Sequence, residues 1–265
     1  MVKLLSCITS GNPALLNHFL RHYLSIGIEE MLLIVHSKTA DAPCKDMAIQ
    51  LIENVGLTPS EIWIGRFNTY EKHERMNRLL RSQTGDDDWV VLADLDEFTV
   101  FPKQVDKFLA ECDENGFFYI PGLLTDRIAR NGALPEIQPD EPLERQFPLA
   151  CRITKTLLGG WISKIAAMKG FLRFSTGHHY LSPEFRHGYY ESEYPEPLEV
   201  NHYKWDSSLV SRLESRAEEF KQQDLGWYRE SERFLLFLKE HGRLDPFHPR
   251  VNAVPISQMN DESVG

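Results

Sequence analysis

Residues 86–101 read DDDWVVLADLDEFTVF: a polar turn, a short apolar run, then Asp94-Leu95-Asp96 followed by Glu97-Phe98. The run Trp89 to Leu92 has the pattern of a buried strand. In extended backbone, residues two apart point the same way, so Asp94 and Asp96 are expected to converge while Leu95 turns to the core. Carboxylates so close repel, and a divalent cation with oxygen ligands is the simplest partner to offset them. Such an ion would attract a phosphate-bearing ligand. The plainer alternative is a solvated strand end or helix cap, where Asp is common. Asp86-Asp87-Asp88, in a polar turn after Gly85, fits that plainer description.

The chain leading to this stretch alternates strands and helices. KLLSCIT, residues 3–9, reads as a first buried strand. Asn12-Pro13 then supplies a helix cap and a first-turn proline, and Leu15, Leu16, Phe19, Leu20, Tyr23 and Leu24 recur at helical spacing until Gly27. Residues 31–35, MLLIV, form a second strand. A helix follows with Cys44, Met47, Ala48, Leu51, Ile52 and Val55 on one face, ending at Gly56. Residues 62–64 form a third strand, and Asn68 with Glu71 resembles a capping box opening a helix to about Gln83. The strand that delivers the aspartates is therefore the fourth of a βα series. That order implies an α/β fold with a mainly parallel sheet flanked by helices, whose ligands sit beyond the carboxyl ends of the strands. Ser10-Gly11-Asn12 and Asp94-Leu95-Asp96 both lie at such ends.

Beyond Pro102 the pattern predicts a short helix around Val105 to Cys112, a strand at residues 117–120, and from 121 to 147 a long proline-containing stretch that reads as an ordered loop or an active-site cover. A hairpin is expected from residues 162–168 and 170–174, then a strand at 199–203 and helices at about 208–222 and 230–240. The proline-rich, polar tail from Asp245 reads as a strap or as partly disordered. No internal repeat is present. Residues 1–265 are read as one domain, with a ligand-binding half at 1–102, a second half at 103–245 and a tail at 246–265.

The 265 residues are 42% hydrophobic and 26% charged, ordinary values for a folded soluble protein. A formal charge of −10 argues against broad binding to nucleic acid or anionic membranes. The four cysteines carry no CxxC spacing and read as buried thiols of a reducing compartment. The N-terminus lacks a signal-peptide core, and no apolar run approaches the roughly 18 residues of a membrane span. Cytoplasmic location is the expectation.

The N-terminal strand and Asn-containing loop, the segment FLRHYLSIGIEEMLLIV, the amphipathic helix and VVLADLDEF together resemble the GT-A-type glycosyltransferases of the family 2 and family 92-like group. Asp94, Asp96, Glu97 and Phe98 match that group's D-x-D-E-F. Asp126-Arg127 with Gly132, Phe147-Pro148, Lys164, Gly177-His178-His179 and His202-Tyr203 resemble its later landmarks. The resemblance covers residues 3 to 205 and is more specific in its first half.

The resemblance implies a GT-A (Rossmann-like) fold and a nucleotide-sugar donor, UDP- or GDP-linked, with its diphosphate bridged by Mn²⁺ or Mg²⁺. Asp96 would ligate the metal, and Asp94 would hold the ribose or a metal-bound water. The metal would neutralise charge growing on the departing nucleoside diphosphate. Thr9, Ser10 and Asn12 would line the nucleoside pocket, and Lys164 and Arg127 would contact diphosphate oxygens. Imidazole suits a manganese-like ion, which makes His178, His179 and His202 candidates, His202 first; each is as well suited to a structural hydrogen bond. Inverting transfer to a glycan or other hydroxyl-bearing acceptor needs a general base, for which Asp126 leads and Glu97 and Asp140 follow.

Two other functions fit parts of the pattern. A phosphohydrolase would use Asp94 as nucleophile and Asp96 as acid. That motif normally carries a small hydroxyl residue two positions after the second Asp, where Phe98 stands here, and lies on the first strand rather than the fourth. A non-catalytic carbohydrate- or protein-binding module could keep the fold without the activity.

Overall fold

The computed structural model describes residues 1–9, 11–222 and 226–259, leaving aside the side chains of Tyr190 and Met259. In chain order the elements are β1 (Val2–Thr9), α1 (Pro13–Ser25), β2 (Glu30–Ser37), α2 (Pro43–Asn54), β3 (Glu61–Ile64), α3 (Thr69–Gln83), β4 (Trp89–Leu92), β5 (Glu97–Thr99) and α4 (Val105–Glu114). They continue with β6 (Tyr119–Ile128), α5 (Leu143–Gln146), β7 (Leu149–Cys151), β8 (Ser163–Lys169), α6 (Pro183–Arg186) and β9 (Leu198–His202). The last are α7 (Leu209–Gln222), α8 (Tyr228–His241), β10 (Val254–Pro255) and α9 (Ile256–Met259). The chain divides into two compact units, Met1–Leu123 with Ser163–Val200, and Leu124–Ile162 with Asn201–Gly265.

In the first unit the strand order is β3-β2-β1-β4-β8-β6. Strands β1 to β4 run parallel, while β8 is antiparallel to both β4 and β6. This is the expected mixed, mainly parallel α/β sheet. The chain steps outward from β1 to β3 and then returns to the other side of β1 as β4. Strand order therefore reverses between β1 and β4, and the crevice at their carboxyl ends is where such sheets bind ligands. Leu5, Cys7, Ile34, Val90, Leu92, Ile165 and Met168 share one core beneath it.

The helix starts follow the residues that predict them. Asn12 accepts a hydrogen bond from Leu15 N at 3.1 Å and caps α1 ahead of Pro13. Asn68 accepts from Tyr70 N and Glu71 N at 2.9 and 3.0 Å and caps α3. Each such cap contributes about 1 kcal/mol.

In the second unit, the end of β6 pairs with β7 at Asp126↔Cys151, Arg127↔Ala150 and Ile128↔Leu149. β10, drawn from the expected strap, continues on β7 at Val254↔Ala150. Ile153, Trp205, Leu209, Leu213, Phe234 and Phe237 form the core with α7 and α8.

Two sequence expectations fail here. Residues 121–128 belong to β6 rather than to a loop. Pro121, which has no N–H to give a neighbouring strand, stands where the β6–β8 register shifts, the kind of irregularity that accommodates proline in a sheet. The hairpin of 162–168 with 170–174 does not form. β8 lies instead between β4 and β6, because the chain turns at Gly170, where a Cβ would come within 2.1 Å of Gly85 O.

None of the four cysteines, Cys7, Cys44, Cys112 and Cys151, is in a disulfide. No described helix is long and apolar enough to cross a membrane.

Candidate active site

The aspartate triplet does not continue the strand. After β4 the chain turns, with Glu97 N donating to Asp94 O at 2.9 Å and Asp94 N donating to Glu97 Oε2 at 3.2 Å. A turn brings its first and fourth residues together, whereas alternation along a strand would have paired the first and third. The carboxylate beside Asp94 is therefore that of Glu97, which is only 3% exposed. Asp96 lies in the turn, half-buried, and its charge is felt at Lys164. α1 braces the turn from behind: Tyr23 Oη donates to Glu97 O at 3.0 Å and accepts from Thr99 N at 3.2 Å.

Two lysines meet these carboxylates. Lys72, in the first turn of α3, pairs with Asp94 Oδ1. Lys164, on β8 and 7% exposed, lies 2.8 Å from Glu97 Oε1, 3.4 Å from Asp94 Oδ2 and 3.2 Å from Gly177 O. Burial works against the charges of Asp94, Lys72 and Lys164, but their pairing wins. Lys72 and Lys164, with His178, hold the Asp94 carboxyl well below the usual range. Asp94 in turn raises Lys72, and Glu97 and Asp94 raise Lys164.

His178 follows Gly177, and both adopt positive φ, 44° and 76°. This places His178 Nε2 at 3.5 Å from Asp94 Oδ2 and 3.8 Å from Glu97 Oε2, with the ring buried and its Nδ1 without a hydrogen-bond partner among the described residues. His179 turns away, its Nδ1 at 2.7 Å from Ser163 O. Burial pushes the His179 imidazole down to about 4, and the Lys164 charge adds to that.

Asp94, Glu97 and His178 each offer one ligand atom, all within 4.8 Å of one another, and such a group can hold a metal ion. Two carboxylates and an imidazole suit Mn²⁺ or Mg²⁺ chemically. The arrangement does not fit a dication as it stands, because the Lys164 ammonium is already bonded to both carboxylates. At an effective dielectric of about 20, like unit charges about 4 Å apart repel by about 4 kcal/mol, and a divalent ion doubles that. The Asp94–Glu97 pair is already balanced by two ammonium groups, with Asp96 a further carboxylate in the same turn.

Of the other expected residues, Asp126, Arg127 and His202 fall in the second unit and are bonded within it. Asp126 is 0% exposed. Its Oδ1 accepts from Thr154 Oγ1 (2.7 Å), His202 Nδ1 (2.8 Å) and Trp205 Nε1 (3.1 Å), and its Oδ2 from Thr154 N (2.7 Å). A carboxylate that solvent does not reach and that already accepts four hydrogen bonds is shut off from an acceptor hydroxyl, and its geometry is that of a group that holds the fold. Glu97 is likewise committed to Lys164 and to the Asp94 amide. Arg127, 1% exposed, donates to Asn201 Oδ1 and Phe147 O, both at 2.9 Å, and lies over the Tyr203 ring. Its planar fork is spent on holding the chain. His202 is ordered by Asp126, while the imidazole at Asp94 is that of His178.

Thr9 ends β1 and is exposed; Asn12 caps α1. Ser10 lies outside the described residues. Sequence reasoning missed Lys72. A signal existed: a lysine in the first turn of a helix opposes the helix dipole and calls for an anion nearby, and helices of a parallel sheet begin on its ligand side.

No protein-family model matches the chain, and no curated protein does. Among solved structures, the crystal structure of S. aureus TarS 1-349 in complex with UDP-GlcNAc is 12% identical with a TM-score of 0.42, covering 97% of this chain and 77% of that one. The crystal structure of S. aureus TarS is 12% identical with a TM-score of 0.38, and the match spans 91% of this chain but only 43% of the length of TarS. The crystal structure of mannose-6-phosphate isomerase from Helicobacter pylori is also similar, at 12% identity and a TM-score of 0.31, over 50% of this chain and 57% of that one. Likenesses this distant carry no activity across to this chain.

Proposed function

We propose that this chain is a glycosyltransferase that moves a sugar from a nucleoside-diphosphate donor, UDP- or GDP-linked, to a hydroxyl of a glycan or other acceptor. The observation that carries the reading is the Lys72–Asp94–Lys164 arrangement, which follows β4 at the point where strand order reverses. Breaking the bond between the anomeric carbon and the diphosphate leaves negative charge on the departing group, and fixed positive charge at that point lowers the barrier. Lys72 is the less enclosed of the two ammonium groups, with 15% of its side chain exposed against 7% for Lys164, and on this reading it is the one that faces phosphate. Inversion at the anomeric carbon rests on the resemblance of the sequence alone. On this reading residues 1–265 act as one catalytic domain.

The test is binding and hydrolysis of a panel of nucleotide sugars, with UDP and GDP as ligands. Saturable binding that Asp94→Ala and Lys72→Met weaken supports the reading. No nucleoside diphosphate binding under any condition overturns it, and phosphate release from simple monoesters would favour a hydrolase instead.

A further inference from the structure

We infer that Lys164 is the resident cation of the Asp94–Glu97–His178 cluster, so that the site takes a nucleoside diphosphate without a divalent metal. The nucleotide half of this inference rests on the transferase reading; the cation half stands on the geometry alone.

An ammonium group has three N–H donors, and Lys164 finds three oxygens: Glu97 Oε1 at 2.8 Å, Gly177 O at 3.2 Å and Asp94 Oδ2 at 3.4 Å. Two carboxylates and a carbonyl enclose it as they would enclose a small cation. The side chain is also fixed from behind. Lys164 pairs with Gly122 in the β8–β6 ladder, and a Cβ at Gly122 would lie 2.9 Å from Val200 Cγ2 and 3.2 Å from Ala166 Cβ. Backbone packed so closely holds the root of the lysine in one place. Gly177, whose carbonyl is the third ligand, keeps a positive φ of 76°. A Cβ there would sit 2.8 Å from the His179 ring, so the loop that completes the cage depends on glycine at that position.

Charge gives the same answer. Asp94 and Glu97, the pair that Lys164 touches, contribute two negative charges, and Lys72 and Lys164 two positive ones; Asp96, half-buried in the same turn, is a third carboxylate whose charge also reaches Lys164. The usual reason for a divalent ion at paired carboxylates, their mutual repulsion, is thus already met by the chain itself. An entering dication would have to displace Lys164 from all three partners and leave its charge nearby. The anion facing this site therefore meets Lys72, held in register by Asp94, with Lys164 beneath it as a fixed counter-charge.

The experiment has two arms on the full chain. In the first, Mn²⁺ is titrated without nucleotide and the free ion is read by electron paramagnetic resonance, for the wild type, Lys164→Ala and Lys164→Arg. The wild type and Lys164→Arg are expected to leave Mn²⁺ free. Lys164→Ala should bind it more tightly by about tenfold or more, since its carboxylates lose the charge that neutralised them. In the second arm, UDP and GDP are titrated calorimetrically in EDTA and in excess MnCl₂, with equal affinities expected. Stoichiometric Mn²⁺ binding to the wild type, or nucleotide binding that EDTA abolishes, overturns the inference. If neither nucleotide binds in either buffer, it is the transferase reading that fails, and the Mn²⁺ arm still decides the role of Lys164. Should Lys164→Ala not fold, the wild-type titrations decide by themselves.

Discussion

Nδ1 of His202 lies 2.8 Å from Oδ1 of Asp126, a carboxylate that solvent does not reach. Facing a carboxylate, that nitrogen carries the proton, which fixes the ring's tautomer and orientation. The same carboxylate gathers Thr154 and the indole of Trp205, so one side chain on β6 ties together two further stretches of the second unit, at residue 154 and at 202–205.

Asp126 is therefore expected to act on stability before it acts on catalysis. Asp126→Ala removes the acceptor of four hydrogen bonds, and each buried group left unsatisfied costs about 1–3 kcal/mol. A loss of about 3 kcal/mol lowers Tm by about 6–12 °C for a chain of this size. Thermal melts of Asp126→Ala and Asp126→Asn check this. Variants that melt like the wild type yet lose turnover would return the role of general base to Asp126.

Lys72 is expected to show the opposite balance. Its charge stands at the positive end of α3, where a cation is disfavoured, and its stabilising partner is the Asp94 carboxylate. Lys72→Met should weaken UDP or GDP about tenfold, as expected for the loss of a hydrogen bond to a charged group, while Tm changes little. Calorimetric titration reads the first quantity and a melt the second. Unchanged affinity would remove Lys72 from the phosphate site.

How far the sequence could be read depended on whether the determining force was local. Caps and periodicity are local, and Asn12, Asn68 and the four-strand βα series stand where their residues point. The pairing of Asp94 with Glu97 was hidden because the alternation rule assumes extended backbone, and the chain turns at Leu95-Asp96 instead. Lys164 was legible as a basic residue in the right region, but not as a caged one. Its partners lie far away in sequence, Asp94 and Glu97, and the loop at Gly177. Asp126 looked like a candidate base because an acid after an apolar stretch looks the same whether it faces solvent or the core. Only the converging Thr154, His202 and Trp205 donors tell the two apart.

His179 should make the fold sensitive to mild acid. Burial, with Lys164 adding, holds its folded-state value at about 4, below the ordinary histidine value of about 6.5. Between those two values the unfolded chain binds the proton and the folded one does not, so stability rises with pH across that window and is lost as pH falls through it. His179→Gln should flatten the dependence of Tm on pH between about 6.5 and 4. An unaltered slope in the variant would assign the acid sensitivity to other groups.

The second unit offers a sharper test of packing at Gly132. This residue has φ of 68°, and a Cβ there would lie 1.9 Å from Leu244 O, while Leu244 N donates to Gly132 O at 2.9 Å. Gly242, which ends α8, shares the left-handed conformation with φ of 76° but has nothing within 4 Å of its Cβ position. Gly242→Ala should therefore cost only the conformational penalty, about 1–2 kcal/mol. Gly132→Ala should cost that and the displacement of the backbone at Leu244, a main-chain contact that no side-chain rotation can relieve. The two variants isolate the close approach, since their backbone strain is alike. A markedly lower denaturation midpoint for Gly132→Ala than for Gly242→Ala is the expected result. Equal losses would mean that the segment after α8 moves aside at no cost, and that its contact with the turn at Gly132 contributes nothing to stability.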